Sequence, residues 1–478
     1  MNTTPWPTLS NPVASAADLH KGRLALCITA FLLTAMPRLS LKFGPVPLYA
    51  IDLFIALALY YALKAPANDS GRRPFTLLLV TIGFFACLGE LAAAYYSTDV
   101  LRPVYALART LLALSLAYSV ARLVQTPADL AALARSLVLG TAITATLMIL
   151  SSLPATRGTL DATVFSIAWL EPASREISSQ LPYYQGSTRG RSLVGVSILS
   201  GAFLNAFWPL VALASRLPGT SQLWRRLALL ACLLAPFGIV MSYSRGAILG
   251  LIMVVGSLLV LGSNKSRTGV LVAFVCALTV FNSIGWDSEL FYFDRVVKRT
   301  NAVFQDPYDD PREWERINAY SEPFDHLADN PSFAVIGEGT AIGKTGVPSE
   351  QGNKATHAIF AMAYYSYGMV AAIAYLLLVI AILRHLLREI MRRRPPGMLA
   401  PLYYQALGAG FFGLLSWFVF GHAAISTPRG AMLLFLFITF VGIIVWAFRP
   451  GSTKAYEDTA NIPFRHADKP ATTKEART

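Results

Sequence analysis

Apolar runs long enough to cross a lipid bilayer recur along most of this chain. A hydrocarbon core about 30 Å thick needs roughly 20 consecutive apolar residues in a helix, since lipid offers backbone N–H and C=O groups no partners. That rule gives about twelve spans, near 24–40, 47–64, 75–96, 101–121, 133–153, 192–214, 227–243, 246–263, 268–286, 356–383, 400–420 and 430–448. The expected fold class is therefore all-α: a polytopic integral membrane protein with about 12 transmembrane helices and one large periplasmic loop. Hydrophobic residues at 55% against 14% charged exclude an ordinary soluble domain.

The net charge of +13 is distributed in a way that argues against a nucleic-acid surface. With the N-terminus cytoplasmic, the inner segments hold Lys21 and Arg23; Lys64, Arg72 and Arg73; Arg216, Arg225 and Arg226; and Lys265 and Arg267. The cluster Arg384, Arg388, Arg392, Arg393 and Arg394 and a basic tail from Arg449 follow on the same side. The short outer junctions hold few, which is the positive-inside pattern and predicts both termini in the cytoplasm. No nucleic-acid partner is expected. Residues 1–20 lack a signal-peptide pattern, so the first span reads as a retained anchor. Cys27, Cys87, Cys232 and Cys276 fall inside apolar runs, where a disulfide framework or metal cluster is not expected.

The chain then divides into a cytoplasmic N-terminus (1–23), spans one to nine (24–286), an outer loop (287–355), spans ten to twelve (356–448) and a tail (449–478). A smaller polar outer loop, about 154–190, carries Pro154, Pro172 and Pro182 and ends in YYQGSTRGR. In the large loop, Asp310, Pro311 and Glu313 form a helix-start pattern. The Gly-rich run NPSFAVIGEGTAIGKTG after it reads as a folded lid or cleft wall. The tail has almost no apolar content and reads as disordered.

A charge inside a span costs about 2.5–3.5 kcal/mol at mid-membrane, so each one needs a reason. Asp52, Glu90 and Arg109 all fall in the outer part of their helices, at the level of Arg191, Arg245, His357, His422 and Arg429. A structural ion pair between Glu90 and Arg109 on adjacent spans explains both; Asp52 reads as a cap or local partner. Arg245 stands apart, because it occupies a minimal turn on the side where arginine is avoided, beside Gly246.

Several arginines and one histidine at an outer face suit a diphosphate ligand. Arginine grips phosphate oxygens bidentately and keeps its charge, so it can stand in for a divalent cation on a leaving diphosphate. Histidine, with an ordinary pKa near 6.5, can take the proton of an attacking hydroxyl. Glycosyl transfer from a lipid diphosphate needs those two functions. No metal or other cofactor is expected.

At these residues the sequence resembles the O-antigen ligase and O-antigen polymerase superfamily of bacterial polytopic glycosyltransferases. SYSRGAILG, containing Arg245, is similar to that family's SRG signature. His357 followed eleven positions later by Gly368 resembles its downstream signature, and GRSLVGVSILSGAFLNAFWPL, with Arg191 near its start, resembles its arginine-led helix. FGPVPLYAIDLFIALAL near the N-terminus has the family's look, and the large outer loop falls where these proteins carry theirs. The resemblance implies that Arg191 and Arg245 bind the diphosphate of an undecaprenyl-diphosphate-linked glycan while His357 activates the acceptor hydroxyl. It implies a metal-independent, inverting transfer on the periplasmic face of the bacterial inner membrane. Tyr183, Tyr184 and Arg189 in the first outer loop, Arg312 and Arg316 in the second, and Arg109 are further candidates for donor contact.

Ala358 stands where the family usually has asparagine, and Ser366 where it often has glutamate. Those departures leave the acceptor open: lipid A core, a growing polysaccharide or a protein hydroxyl. The competing reading is a polytopic transporter or flippase of lipid-linked sugars. Such proteins place their sites near the midplane on broken helices, often with inverted repeats, and the sequence shows neither.

Overall fold

The computed structural model describes, with short gaps, residues 16–166, 190–268, 331–339, 359–391 and 404–413. The described chain is a bundle of long helices: α1 (Ala16–Ala35), α2 (Ala50–Lys64), α3 (Thr76–Tyr96), α4 (Leu101–Leu123) and α5 (Pro127–Ser152). After a short helix α6 (Pro154–Ala162) come α7 (Ser197–Ala214), α8 (Gln222–Met241) and α9 (Arg245–Leu261). A single turn, α10 (Phe333–Ile336), precedes the long α11 (Ile359–Met391), and residues 404–413 are also helical. Five of these helices are long and apolar enough to cross a membrane. Spans nine and twelve, most of the large loop and the tail, as read from sequence, lie outside the described residues.

One element departs from the all-helical expectation. Where the sequence reading runs span one to residue 40 and starts span two at 47, the chain leaves helix at Ala35. It then forms an antiparallel hairpin, β1 (Ser40–Phe43) with β2 (Val46–Tyr49), in which Ser40 faces Tyr49 and Phe43 faces Val46. The Ala50 N–H donates to the Leu39 carbonyl at 2.8 Å, which carries the pairing up to the first residue of α2. Apolar content continues through this stretch, so length and hydropathy alone do not separate the hairpin from the helices on either side.

Helix starts and close contacts follow local chemistry. The α5 helix opens with a full capping box, in which Thr126 and Asp129 satisfy each other's backbone N–H groups and Pro127 takes a first-turn position. Asp129 also pairs with Arg23 of α1 at 3.0 Å, and Arg23 donates to the Leu123 carbonyl at the end of α4. At the other end of α1, Gly140 of α5 sits against Thr34, and the Thr144 hydroxyl donates to the Thr34 carbonyl at 2.6 Å. Small residues and inter-helix hydroxyl bonds are what hold helices together where lipid gives no hydrophobic drive. Leu77, Tyr95, Val260 and Met391 are exposed on the outside of the bundle, as lipid-facing side chains are.

These contacts fix helix direction. The N-terminal end of α1 meets the C-terminal end of α4 and the N-terminal end of α5. Gly89 in the second half of α3 meets Ser366 near the start of α11. The hairpin, Asp52, Glu90, Arg109, the end of α5 and the start of α9 therefore share one end of the bundle, as the charge placement predicts.

At that end Arg109 pairs with Asp52, Nε to Oδ2 at 3.1 Å, and Tyr49 of the hairpin stacks 4.3 Å from the guanidinium. Both charged side chains are buried. Breaking a buried pair by neutralising one partner typically costs about 3–5 kcal/mol, whereas replacing both by apolar groups costs much less. Asp52→Asn should lower thermal stability in detergent sharply, and the double variant Asp52→Leu with Arg109→Met should recover most of that loss. Equal stability of the single variant and the parent would show that the pair does not hold α2 to α4.

Candidate functional site

The Ser242–Arg245 turn is built by its own hydroxyls. The Ser242 Oγ donates back to the Ile239 carbonyl at 2.6 Å and accepts the Ser244 N–H at 3.2 Å. Ser244 then caps α9, its Oγ accepting the Ala247 N–H at 3.4 Å, so that Arg245 is the first helical residue. The buried Asn205 of α7 donates to the Ala247 carbonyl at 2.7 Å, and Gly201 brings the α7 backbone against Ala247 and Ser242. The close approach to this turn is thus made by Gly201 of α7. The N-terminus of α9, with its partial positive charge, lies at the same end of the bundle.

Arg191 is fixed beside this turn by backbone. The N–H of Gly190 donates to the carbonyl of Met241, the last residue of α8, at 2.7 Å. Ser151, at the end of α5, bonds Arg191 reciprocally: its hydroxyl donates to the Arg191 carbonyl at 2.8 Å and accepts the Arg191 N–H at 2.7 Å. A Cβ at position 190 would lie 2.3 Å from the Met148 carbonyl oxygen and 3.0 Å from that of Met241, so only glycine lets the loop wedge between α5 and α8. Two arginines 54 positions apart in sequence (245 minus 191) are thereby anchored on one junction.

The Arg191 side chain is half-buried and pairs with Asp161 at the end of α6. Its guanidinium also lies 4.7 Å from the Phe165 ring. Burial pushes the Arg191 guanidinium below its ordinary range, and the neighbouring Arg157 of α6 pushes it further down. Burial does the same to Arg157. Arg157, Asp161 and Phe165 were not singled out in the sequence, where 154–190 reads as a polar loop. The usable signals were Pro154, which suits a first helical position, and the four-residue spacing of Arg157 and Asp161.

A second construction lies where α3, α10 and α11 meet. Gly368 interrupts α11 with φ 82° and ψ 174°, and Val335 and Ile336 of α10 pack directly on it. The Gly339 N–H donates to the Ser366 carbonyl at 2.9 Å, and Gly89 and Glu90 of α3 close the other side. Part of the Gly-rich run of the large loop is therefore seated on the bundle, against the very glycine that follows His357 by eleven positions.

His357, two positions before α11, lies outside the described residues, as do Arg189, Tyr183, Tyr184, Arg312, Arg316, His422 and Arg429. Arg109 is described, and its guanidinium is engaged by Asp52 and Tyr49. The structure thus supplies Asp52 as a partner of Arg109, which the sequence reading gave only as a cap or local partner. Among the described residues no three His, Cys, Asp or Glu side chains gather as metal ligands.

Fold and site together describe a polytopic helical membrane protein with an arginine-bearing junction at one end. Residues 230–376 match the family model described as O-Antigen ligase, which supports the superfamily resemblance and a glycosyltransferase of ligase or polymerase type. The matched stretch contains Arg245, His357 and Gly368, while Arg191 and α6 precede it. Residues 431–466 match the family described as Cbb3-type cytochrome oxidase component FixQ, a stretch outside the described residues that reads as one apolar span followed by polar tail. No curated protein matches the chain.

A methyl group at position 190 should force α5 and α8 apart, so Gly190→Ala should cost on the order of 2 kcal/mol or more and abolish function. Gly158, in α6, has nothing within 4 Å of its would-be Cβ. Gly158→Ala should instead be neutral or stabilising by up to about 1 kcal/mol. Thermal unfolding of both variants in one detergent checks the contrast, and equal behaviour would remove the wedge.

Proposed function

We propose that the protein is a metal-independent, inverting glycosyltransferase that takes its glycan from an undecaprenyl-diphosphate donor on the periplasmic face of the inner membrane. Both termini are cytoplasmic in this reading, and the junction end of the bundle faces the periplasm. The observation that carries it is the anchoring of the Arg191 loop onto the Ser242–Arg245 turn through Gly190 and Ser151.

Arg191 and Arg245 hold the diphosphate, with the N-terminus of α9 adding partial positive charge. His357 accepts the proton of the acceptor hydroxyl as its oxygen attacks the anomeric carbon from the face opposite the diphosphate. The bond from that carbon to the diphosphate oxygen breaks, the electron pair leaves with the lipid diphosphate, and the configuration inverts. The arginines offset the charge that develops on the leaving oxygen, which is where charge stabilisation contributes most. The polyprenyl chain lies along the apolar bundle. The acceptor is a glycan, lipid A core or protein hydroxyl.

The test separates holding from reacting. Arg245→Lys keeps the charge but loses the bidentate fork, so transfer should fall by about 10²-fold or more while the protein still inserts. His357→Ala should lose about 10²–10⁴-fold in transfer and bind donor as the parent does. Donor affinity and transfer rate measured on the same purified variants decide it; parental transfer by both would sink the mechanism. Transfer should also persist in EDTA, and activity that disappears with chelator and returns with magnesium or manganese would contradict the arginine-only account.

A further inference from the structure

Helix α7 meets the segments of both arginines through neighbouring residues. On one side the Ser200 hydroxyl bonds the hydroxyl of Ser192, the residue after Arg191, at 2.8 Å, and the Ser192 Oγ accepts the Val194 N–H at 3.1 Å. On the other side, Gly201 and Asn205 lie four positions apart in α7 and share a face. A Cβ at position 201 would stand 2.7 Å from that of Ala247, and the Asn205 Nδ2 donates to the Ala247 carbonyl at 2.7 Å. Ser192, Ser200 and Asn205 are all buried. The backbone beside Arg191 and the first turn of α9, which Arg245 opens, are therefore both tied to one helix.

Packing alone does not call for an asparagine at position 205. In an α-helix the Ala247 carbonyl is the acceptor for the N–H four residues on, so α9 needs no donor from α7 at that point. Asn205 is fully buried, and its Oδ1 has no hydrogen-bond partner among the described residues. Burying an amide with part of its bonding capacity unmet costs free energy that an apolar side chain avoids. Gly201 and Ala247 already let the two helices approach closely. What the amide adds is direction. A hydrogen bond fixes the rotation and depth of the first turn of α9 against α7, whereas apolar contact is non-directional.

We propose that α7 sets the separation of the two arginines, and that Asn205 is a positioning residue for Arg245, acting through the α9 backbone. A diphosphate gripped at two points depends on that separation, whereas a monophosphate can be held by either arginine alone. Asn205 then contributes to the choice of a diphosphate over a monophosphate. The proposal rests on the reading of Arg191 and Arg245 as diphosphate ligands.

The test compares binding of undecaprenyl diphosphate and undecaprenyl monophosphate to the purified full-length protein in detergent micelles, with thermal unfolding of each variant alongside. Asn205→Leu should unfold at the parent's temperature or above, because it removes an incompletely bonded amide. It should weaken diphosphate binding by about tenfold and leave monophosphate binding within about twofold. Asn205→Ala is the second variant should leucine not fit, with the same loss of selectivity expected. Ser200→Ala should lower the diphosphate preference in the same direction. An unchanged preference in the Asn205 variants would overturn the proposal. Equal weakening of both ligands together with lowered unfolding temperature would also overturn it, since Asn205 would then only hold the fold. Arg245→Gln separates the two levels. If it lowers the diphosphate preference while the α7 variants do not, only the role of α7 fails; if it too leaves the preference unchanged, the diphosphate reading of Arg245 fails.

Discussion

Ser151 and Arg191 exchange two hydrogen bonds, and one residue earlier Gly190 gives its N–H to Met241. Through these three bonds the ends of α5 and α8 hold a short loop between them, and the turn into α9 follows directly. An arginine side chain is long and flexible, and fixing it usually costs conformational entropy. Here the backbone below the side chain is already fixed, and the wedge exists only because position 190 has no Cβ. The cluster of Arg157, Asp161, Phe165 and Arg191, and its neighbourhood to the start of α9, depend on that seam.

Other polar groups at this end join elements of the bundle to one another. Asp52 and Arg109 tie α2 to α4 under the hairpin, with Tyr49 covering the guanidinium. Ser366, Gly339 and Gly89 seat part of the large loop against the break in α11 at Gly368. That seat follows His357 in the chain by nine to eleven positions. Rigid supports of this kind are what precise catalytic geometry requires of its surroundings.

Much of the helical framework was legible in the apolar runs, because a span must be about 20 residues long and must satisfy its backbone internally. The junction that carries Arg245 and the shared end of Asp52, Glu90 and Arg109 could be read from span parity, although α9 begins at Arg245 itself and not one residue later. The hairpin at 40–49 was not legible, since most of its residues are apolar and the sequence reading ran the two spans to either side of it. The pairing of Arg109 with Asp52 was not legible either: the two lie 57 positions apart, and the packing of α2 on α4 brings them together. Helix α6 was hidden because it is short and low in apolar content, so a search for membrane-length apolar runs passes over it. Arg191 was legible from its resemblance to an arginine-led helix, but its ring and carboxylate partners come from a helix that the sequence reading left as loop.

The central claim is that the protein breaks the bond between glycan and lipid diphosphate. It is tested most directly in proteoliposomes containing the purified protein, an undecaprenyl-diphosphate-linked glycan, and either lipid A core or a second lipid-linked glycan as acceptor. Mass spectrometry of the lipid and glycan fractions should show one undecaprenyl diphosphate freed for each glycan transferred, with the new glycosidic bond inverted relative to the donor. Recovery of the lipid-linked glycan intact but moved to the opposite leaflet would contradict the account and make the protein a transporter.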